Sequence, residues 1–156
     1  MSSSTVAIVI LNFNGKKHLE TFLPSVLHTT YEQVKIVVAD NGSTDDSVDL
    51  LASNFPSVQV LSWAENLGYA GGYNFALGQI KADYFVLMNS DIAPRKNWLG
   101  PLVTYFEANP LVAAAQPFLL DYKNPAYFEY AGAAGGFWDA YGYPFCRGRL
   151  FDTLEK

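Results

Sequence analysis

Apolar and polar positions alternate over the first hundred residues in blocks that fit strands and helices in turn. Val6 to Leu11 is an unbroken, mostly β-branched run that passes into the turn-prone Asn12-Phe13-Asn14-Gly15. A short run flanked in this way predicts a strand buried on both faces. Leu19, Phe22, Leu23, Val26 and Leu27 then recur at the spacing of one helix face. Pro24 lies inside that stretch and, lacking a backbone donor, is expected to bend the helix or mark its restart. Val34 to Ala39 repeats the buried-strand pattern and closes on Asp40-Asn41-Gly42-Ser43. Ser43 or Thr44 is the expected cap of a second helix carrying Val48, Leu50 and Leu51.

The same alternation continues with a strand at Val58 to Leu61, a helix at Gly72 to Ile80 and a strand at Tyr84 to Met88 that ends in Asn89-Ser90-Asp91. Trp98, Leu99, Leu102, Val103 and Phe106 form another helical stripe, with Pro94 near its allowed first turn and Pro101 apparently internal. Val112 to Ala115 reads as one more strand. Beyond Gln116 the period dissolves into aromatic residues and glycines. Strands alternating with helices imply an α/β fold with a mostly parallel, Rossmann-like sheet and helices on both faces. Ligands of such sheets bind in a crevice outside the carboxyl ends of the strands.

Composition narrows the function. The chain has 156 residues, 50% of them hydrophobic and 16% charged, which describes a globular domain and not a disordered segment. Its apolar runs are far shorter than the roughly 20 residues of a membrane-spanning helix. The start, Met-Ser-Ser-Ser-Thr, has no basic segment ahead of its apolar run, so no secretory signal is expected and the reading is cytoplasmic. One cysteine, Cys146, and two histidines, His18 and His28, exclude an internal disulfide and a Cys/His zinc cluster. Any metal is therefore held by oxygen. A net charge of −5 argues against nucleic acid as the partner, since that role needs a basic face.

Three strand ends carry polar clusters that the fold should bring together: Asn12-Phe13-Asn14, Asp40-Asn41 and Asn89-Ser90-Asp91. Each alone is ordinary turn vocabulary. Combined, they supply what a pyrimidine nucleoside diphosphate requires: a ring to stack on (Phe13), an acceptor for the base imide (Asp40) and a carboxylate for a cation bridging the diphosphate (Asp91). Mn2+ or Mg2+ suits such hard oxygen ligands, and without a cation the diphosphate would be repelled by Asp40, Asp45 and Asp91. The stretch Glu65 to Asn74, Glu-Asn-Leu-Gly-Tyr-Ala-Gly-Gly-Tyr-Asn, reads as a glycine-rich loop able to bring backbone N–H groups close to phosphate or ribose. It lacks the dinucleotide-binding spacing and follows the third strand instead of the first, which disfavours a dehydrogenase. No Gly-Lys-Ser or Gly-Lys-Thr occurs, so ATPase and GTPase readings fall as well. His18 and His28 are read as ordinary helix-surface or packing residues.

Val-Ala-Ile-Val-Ile-Leu-Asn-Phe-Asn, Val-Val-Ala-Asp-Asn-Gly-Ser-Thr-Asp, the Asn-x-Gly-x-x-x-Gly-x-Asn stretch and Asn-Ser-Asp, in that order from Val6 to Pro94, resemble the family 2 glycosyltransferases, in particular their rhamnosyltransferase-like branch. The resemblance implies a GT-A fold that binds a nucleoside-diphosphate sugar of the UDP or dTDP type, for inverting transfer to a saccharide or lipid-linked acceptor in polysaccharide or cell-envelope glycan synthesis. It places Phe13 beside the base, Asp40 on the pyrimidine, the loop with Asn66, Gly68, Gly71, Gly72 and Asn74 near ribose and phosphates, and Asp91 on the metal, with Asn12, Asn14, Asn41, Asn89 and Ser90 as further donor-binding residues.

Two positions depart from the family pattern. Its Asp-x-Asp is Asn89-Ser90-Asp91 here, leaving one carboxylate, and an arginine common before the last Asn of the glycine-rich stretch is Tyr73. The resemblance further implies a nucleotide-sugar domain over 1–120 and the start of an incomplete acceptor region over 121–156, with the general base expected beyond Lys156. This chain is expected to bind nucleotide but to transfer sugar weakly or not at all, and the full-length protein is expected in the cytoplasm or peripherally at the inner face of the membrane. A non-catalytic nucleotide-binding scaffold of the same fold and a sugar nucleotidyltransferase are the alternatives, though the latter usually carries a Gly-x-Gly-x-Arg segment that this chain lacks.

Overall fold

In the computed structural model, which describes residues 4–129, 134–147, 149–150 and 153–154, the strongest apolar run forms the middle of the molecule. β1 (Val6–Asn12), α1 (Lys16–Leu27), β2 (Val34–Asn41), α2 (Ser47–Asn54), β3 (Gln59–Trp63), α3 (Gly68–Leu77), β4 (Tyr84–Asn89) and α4 (Leu99–Ala108) follow one another. The four strands make one parallel sheet in the order β3-β2-β1-β4. β1 is a central strand, which explains why its apolar run is continuous and not alternating. Val6, Ile8 and Ile10 pack with Leu19, Leu23 and Val26 of α1, Leu50 and Leu51 of α2, and Leu99 and Val103 of α4. On the opposite face Ala7, Val9 and Ala39 meet Tyr73 and Ala76 of α3. Each large aliphatic side chain buried in this way contributes on the order of 1.5–3 kcal/mol. The result is the GT-A architecture, with helices on both faces of the sheet.

Several expected boundaries shift. The second helix begins at Ser47, not after a cap at Ser43 or Thr44, because the Ser43 hydroxyl is engaged with Asn12, Asn14 and Asp40. Pro101 is the third residue of α4, within the first turn where a helix has no donor to lose, so it starts the helix instead of interrupting it. Pro24 lies inside a continuous α1 without ending it. The stretch Val112 to Ala115 is not a strand: Val112 N donates to Asn109 O, and no ladder among the described residues includes it. No helix among the described residues is long and apolar enough to cross a membrane.

The chain separates into two compact units, Met1–Glu107 and Ala108–Lys156. In the second, β5 (Gly136–Trp138) pairs antiparallel with β6 (Pro144–Cys146), and the Phe137 and Phe145 rings lie 5.5 Å apart across the ladder. Asp139 closes the turn by accepting from Tyr141 N and Tyr143 N. None of residues 108–129 and 134–147 of this unit is buried. A second two-stranded ladder joins β7 (Arg149–Leu150) to β8 (Thr153–Leu154). Of the tail read as the approach to an acceptor region, residues 130–133, 148, 151–152 and 155–156 lie outside the described residues.

Candidate functional site

Parallel pairing brings the polar strand ends level with one another. Asn12 is the register partner of Asp40, Leu11 that of Asn89, and Asn41 that of Trp63. Strand order runs outward from β1 to β3 and then reverses to β4, so the gap above β1 and β4 is the switch point where sheets of this kind bind ligands. An open crevice of about 380 Å³ lies there, lined by Leu11, Phe13, His18, Asn41, Asn66, Gly68, Tyr69, Asn89, Ser90 and Asp91. Phe13 is 50% exposed and Tyr69 63% exposed, so the crevice carries two accessible aromatic rings.

Of the residues expected at the site, Phe13, Asn41, Asn66, Gly68, Asn89, Ser90 and Asp91 line this crevice, and Asn12, Asn14, Asp40, Gly71, Gly72 and Asn74 do not. Asp40 is buried beneath it. Its carboxylate accepts from Asn12 Nδ2 at 2.9 Å, Ser43 Oγ at 2.6 Å and Ser43 N at 3.1 Å. Asn14 adopts a left-handed conformation, φ 51°, which asparagine tolerates, and its Oδ1 accepts from Thr44 N and Asp45 N. Asn12, Asn14 and Asp40 thus weld the end of β1 to the turn after β2.

Asp45 extends the weld. Its carboxylate accepts from Lys16 N at the start of α1 and from Ser47 N and Ser47 Oγ at the start of α2. Burial alone would raise its pKa, but the hydrogen bonds from Ser47 and Lys16 outweigh it and the group is held below the usual aspartate value. One carboxylate therefore caps two helices. Replacing Asp45 by alanine is expected to cost about 1 kcal/mol, read from urea denaturation at neutral pH. Because the folded pKa is depressed, this contribution is present above about pH 4 and fades as pH falls through the folded value. The wild-type and variant curves should converge in acid; a gap that persists there would contradict the assignment.

Asn41 organises the other side of the crevice. Its Oδ1 accepts from Trp63 Nε1 and Leu67 N, both at 2.9 Å, while its Nδ2 donates to Asn66 Oδ1 at 2.9 Å and Gly68 O at 3.0 Å. All four hydrogen-bonding positions of the amide are filled. Asn66 Oδ1 also accepts from Gly68 N at 2.8 Å, which closes a turn at the entrance to α3. This side-chain scaffold explains why the expected glycine-rich loop is mostly helix, beginning at Gly68 and not at Gly72. Gly72 faces the sheet, where an added Cβ would stand 2.8 Å from Leu11 Cδ1 and 3.1 Å from Asn41 Nδ2. Its lack of a side chain serves close helix packing. Asn74 lies exposed on α3, outside the crevice.

Tyr73 is buried on the sheet side of α3, and its hydroxyl donates to Met88 O of β4 at 2.9 Å. Burial drives the phenol pKa up. Tyr69 meets Tyr73 edge to face, with centroids 5.0 Å apart, which steadies one of the two exposed crevice rings. Sequence reasoning passed over His18, Tyr69 and Leu11. The signal for Tyr69 was its place between Gly68 and Gly71; His18 had no signal beyond its position early in α1.

A parallel α/β sheet with a polar crevice at its switch point, bearing aromatic rings and one open carboxylate, is the architecture of the GT-A class. Residues 7–152 match the family model for glycosyl transferase family 2, and the chain belongs to that family. It is 25% identical over 136 residues to the N-acetylglucosaminyl-diphospho-decaprenol L-rhamnosyltransferase of Mycobacterium tuberculosis, a match covering 80% of this chain and 44% of that protein. The fold resembles a mannosyltransferase of Pyrobaculum calidifontis solved with GDP-Man and Mn2+ (TM-score 0.62, 22% identity, 75% of this chain and 37% of that one). It also resembles TarS of S. aureus solved with UDP-GlcNAc (TM-score 0.60, 16% identity, 72% of this chain and 37% of that one). The chain spans less than half the length of these relatives.

Proposed function

We propose that this chain supplies the donor-binding part of a glycosyltransferase that takes a UDP- or dTDP-linked sugar, with Mn2+ or Mg2+, for inverting transfer to a saccharide or lipid-linked acceptor in cell-envelope or polysaccharide synthesis. The observation that carries the reading is the presence, in one crevice at the switch point, of the exposed Phe13 ring and the Asp91 carboxylate. Phe13 offers its face to the base, with Leu11 and Asn41 as adjoining wall. Asp40 has the role of fixing Asn12 and the turn at Ser43 beneath the base position, since its oxygens already hold three hydrogen bonds.

Asp91, Ser90 and Asn89 present only oxygen and amide groups, a donor set suited to a hard divalent cation. No group of three or more His, Cys, Asp or Glu converges among the described residues, so the chain would hold such a cation through Asp91, with diphosphate oxygens and water completing the shell. The cation would neutralise the diphosphate and aid its departure. The rhamnosyltransferase and the UDP-GlcNAc and Mn2+ complexes among its relatives support this assignment.

The test is thermal stabilisation by UDP, dTDP, GDP and ADP, each with and without Mn2+. A nucleotide present at a hundred times its Kd should stabilise the fold by about 2.7 kcal/mol. UDP or dTDP is expected to act best and only with Mn2+. Asp91→Ala should remove the Mn2+ effect while leaving the unliganded melting temperature within a degree or so, as expected of an exposed side chain. Equal response to all four nucleotides, or none to the metal, would sink the site.

A further inference from the structure

The crevice at the switch point is lined by ten residues. Of the ten lining residues, His18 alone has a side chain able to carry positive charge. Lys16, its neighbour on α1, is turned to Asp46 Oδ2 at 2.9 Å and does not line the crevice. His18 lies in the first turn of α1, and a Cβ added at Gly15, where that helix is entered, would stand 3.5 Å from both Asn12 Cγ and Ser90 Oγ. The start of α1 and the Asn89-Ser90-Asp91 end of β4 thus border the same crevice. The imidazole stacks on Phe22 one helical turn later, centroids 6.3 Å apart and planes 21° apart, which limits its ring to few orientations.

We propose that His18 binds the diphosphate of the nucleotide donor, donating a ring N–H to a phosphate oxygen on the Asp91 side of the crevice. The assignment rests on the nucleotide reading given above. A cation held by one carboxylate leaves part of the diphosphate charge uncompensated, and His18 is placed to meet it. His18 is exposed and makes no contribution to the core, so its replacement tests binding and not folding.

Binding of UDP, UMP and uridine, and of dTDP, dTMP and thymidine, would be measured by calorimetry in Mn2+ for the wild type, His18→Ala and His18→Lys. His18→Ala is expected to weaken diphosphate binding about tenfold, leave the nucleosides unchanged, and show an intermediate loss for the monophosphates. His18→Lys, which places another N–H donor at this position, should recover most of the diphosphate affinity. Equal weakening of diphosphate and nucleoside, no weakening at all, or a lysine variant no better than alanine overturns the role. Failure of the wild type to bind any of the six removes the nucleotide reading itself, and that outcome is seen before any variant is compared.

Discussion

Asn41→Leu should destabilise the protein by about 3 kcal/mol, one of the largest effects expected of any single polar residue here. Leucine fills much of the same volume but gives Trp63 Nε1 and Leu67 N no acceptor and Asn66 Oδ1 one donor fewer. A buried donor left without a partner costs on the order of 1–3 kcal/mol, and this substitution strands two, one of them only partly shielded from water. Asn41→Asp is the informative companion. It keeps the acceptor for Trp63 and Leu67 but turns an anionic oxygen toward Gly68 O and Asn66 Oδ1, so it should lose stability through repulsion and should also disorder the entrance to α3. Urea denaturation followed by tryptophan fluorescence reads both. A loss below about 1 kcal/mol for the leucine variant would show that the four hydrogen bonds do not hold the crevice wall.

Restoring the arginine common in the family, Tyr73→Arg, is expected to be worse, costing about 3–5 kcal/mol or preventing folding. The side chain at this position enters the cluster of Ala7, Val9, Ala39 and Ala76, where no described acidic group waits for it. The substitution also removes the hydroxyl that donates to Met88 O. Tyr73→Phe separates these contributions: it retains the ring and should lose only about 1 kcal/mol for the missing hydrogen bond. Comparable stability of the arginine and phenylalanine variants in thermal and urea melts would mean that the position can turn toward solvent. The departure at Tyr73 would then be unrelated to its burial.

The repeating units of this fold were legible because each rests on local physics: continuous β-branched runs for central strands, a 3.6-residue stripe for helices, glycine and asparagine at the turns. The convergence of Phe13 and Asp91 was legible as well, because topology alone brings strand ends together. Roles that depend on three-dimensional partners were hidden. Asp40 and Asn41 are adjacent and similar in chemistry, yet one is sealed under Asn12 and Ser43 while the other reaches the crevice. Sequence could not show which side of the strand end each occupies. The Gly68 to Asn74 stretch looked like a loop because glycine is a poor helix former. Asn41 and Asn66, one of them distant in sequence, supply the hydrogen bonds that start the helix there. That His18 lines the crevice was not legible either, because a histidine early in a helix carries no pattern that shows where its side chain lies.

The strand order has a bearing on when the crevice comes into being. β1 pairs with β2 across the single α1 crossover, whereas Val6 and its partner Tyr84 are separated in sequence by most of the first unit. Long-range parallel pairing is slow because chain closure must be completed before its contacts accumulate. Asp91 follows directly on the end of β4, so the carboxylate reaches Phe13 only when that late ladder zips shut. The chain can thus acquire its helices and half its sheet before the crevice exists, and Phe13 and Asp91 come together in a closing event along β1.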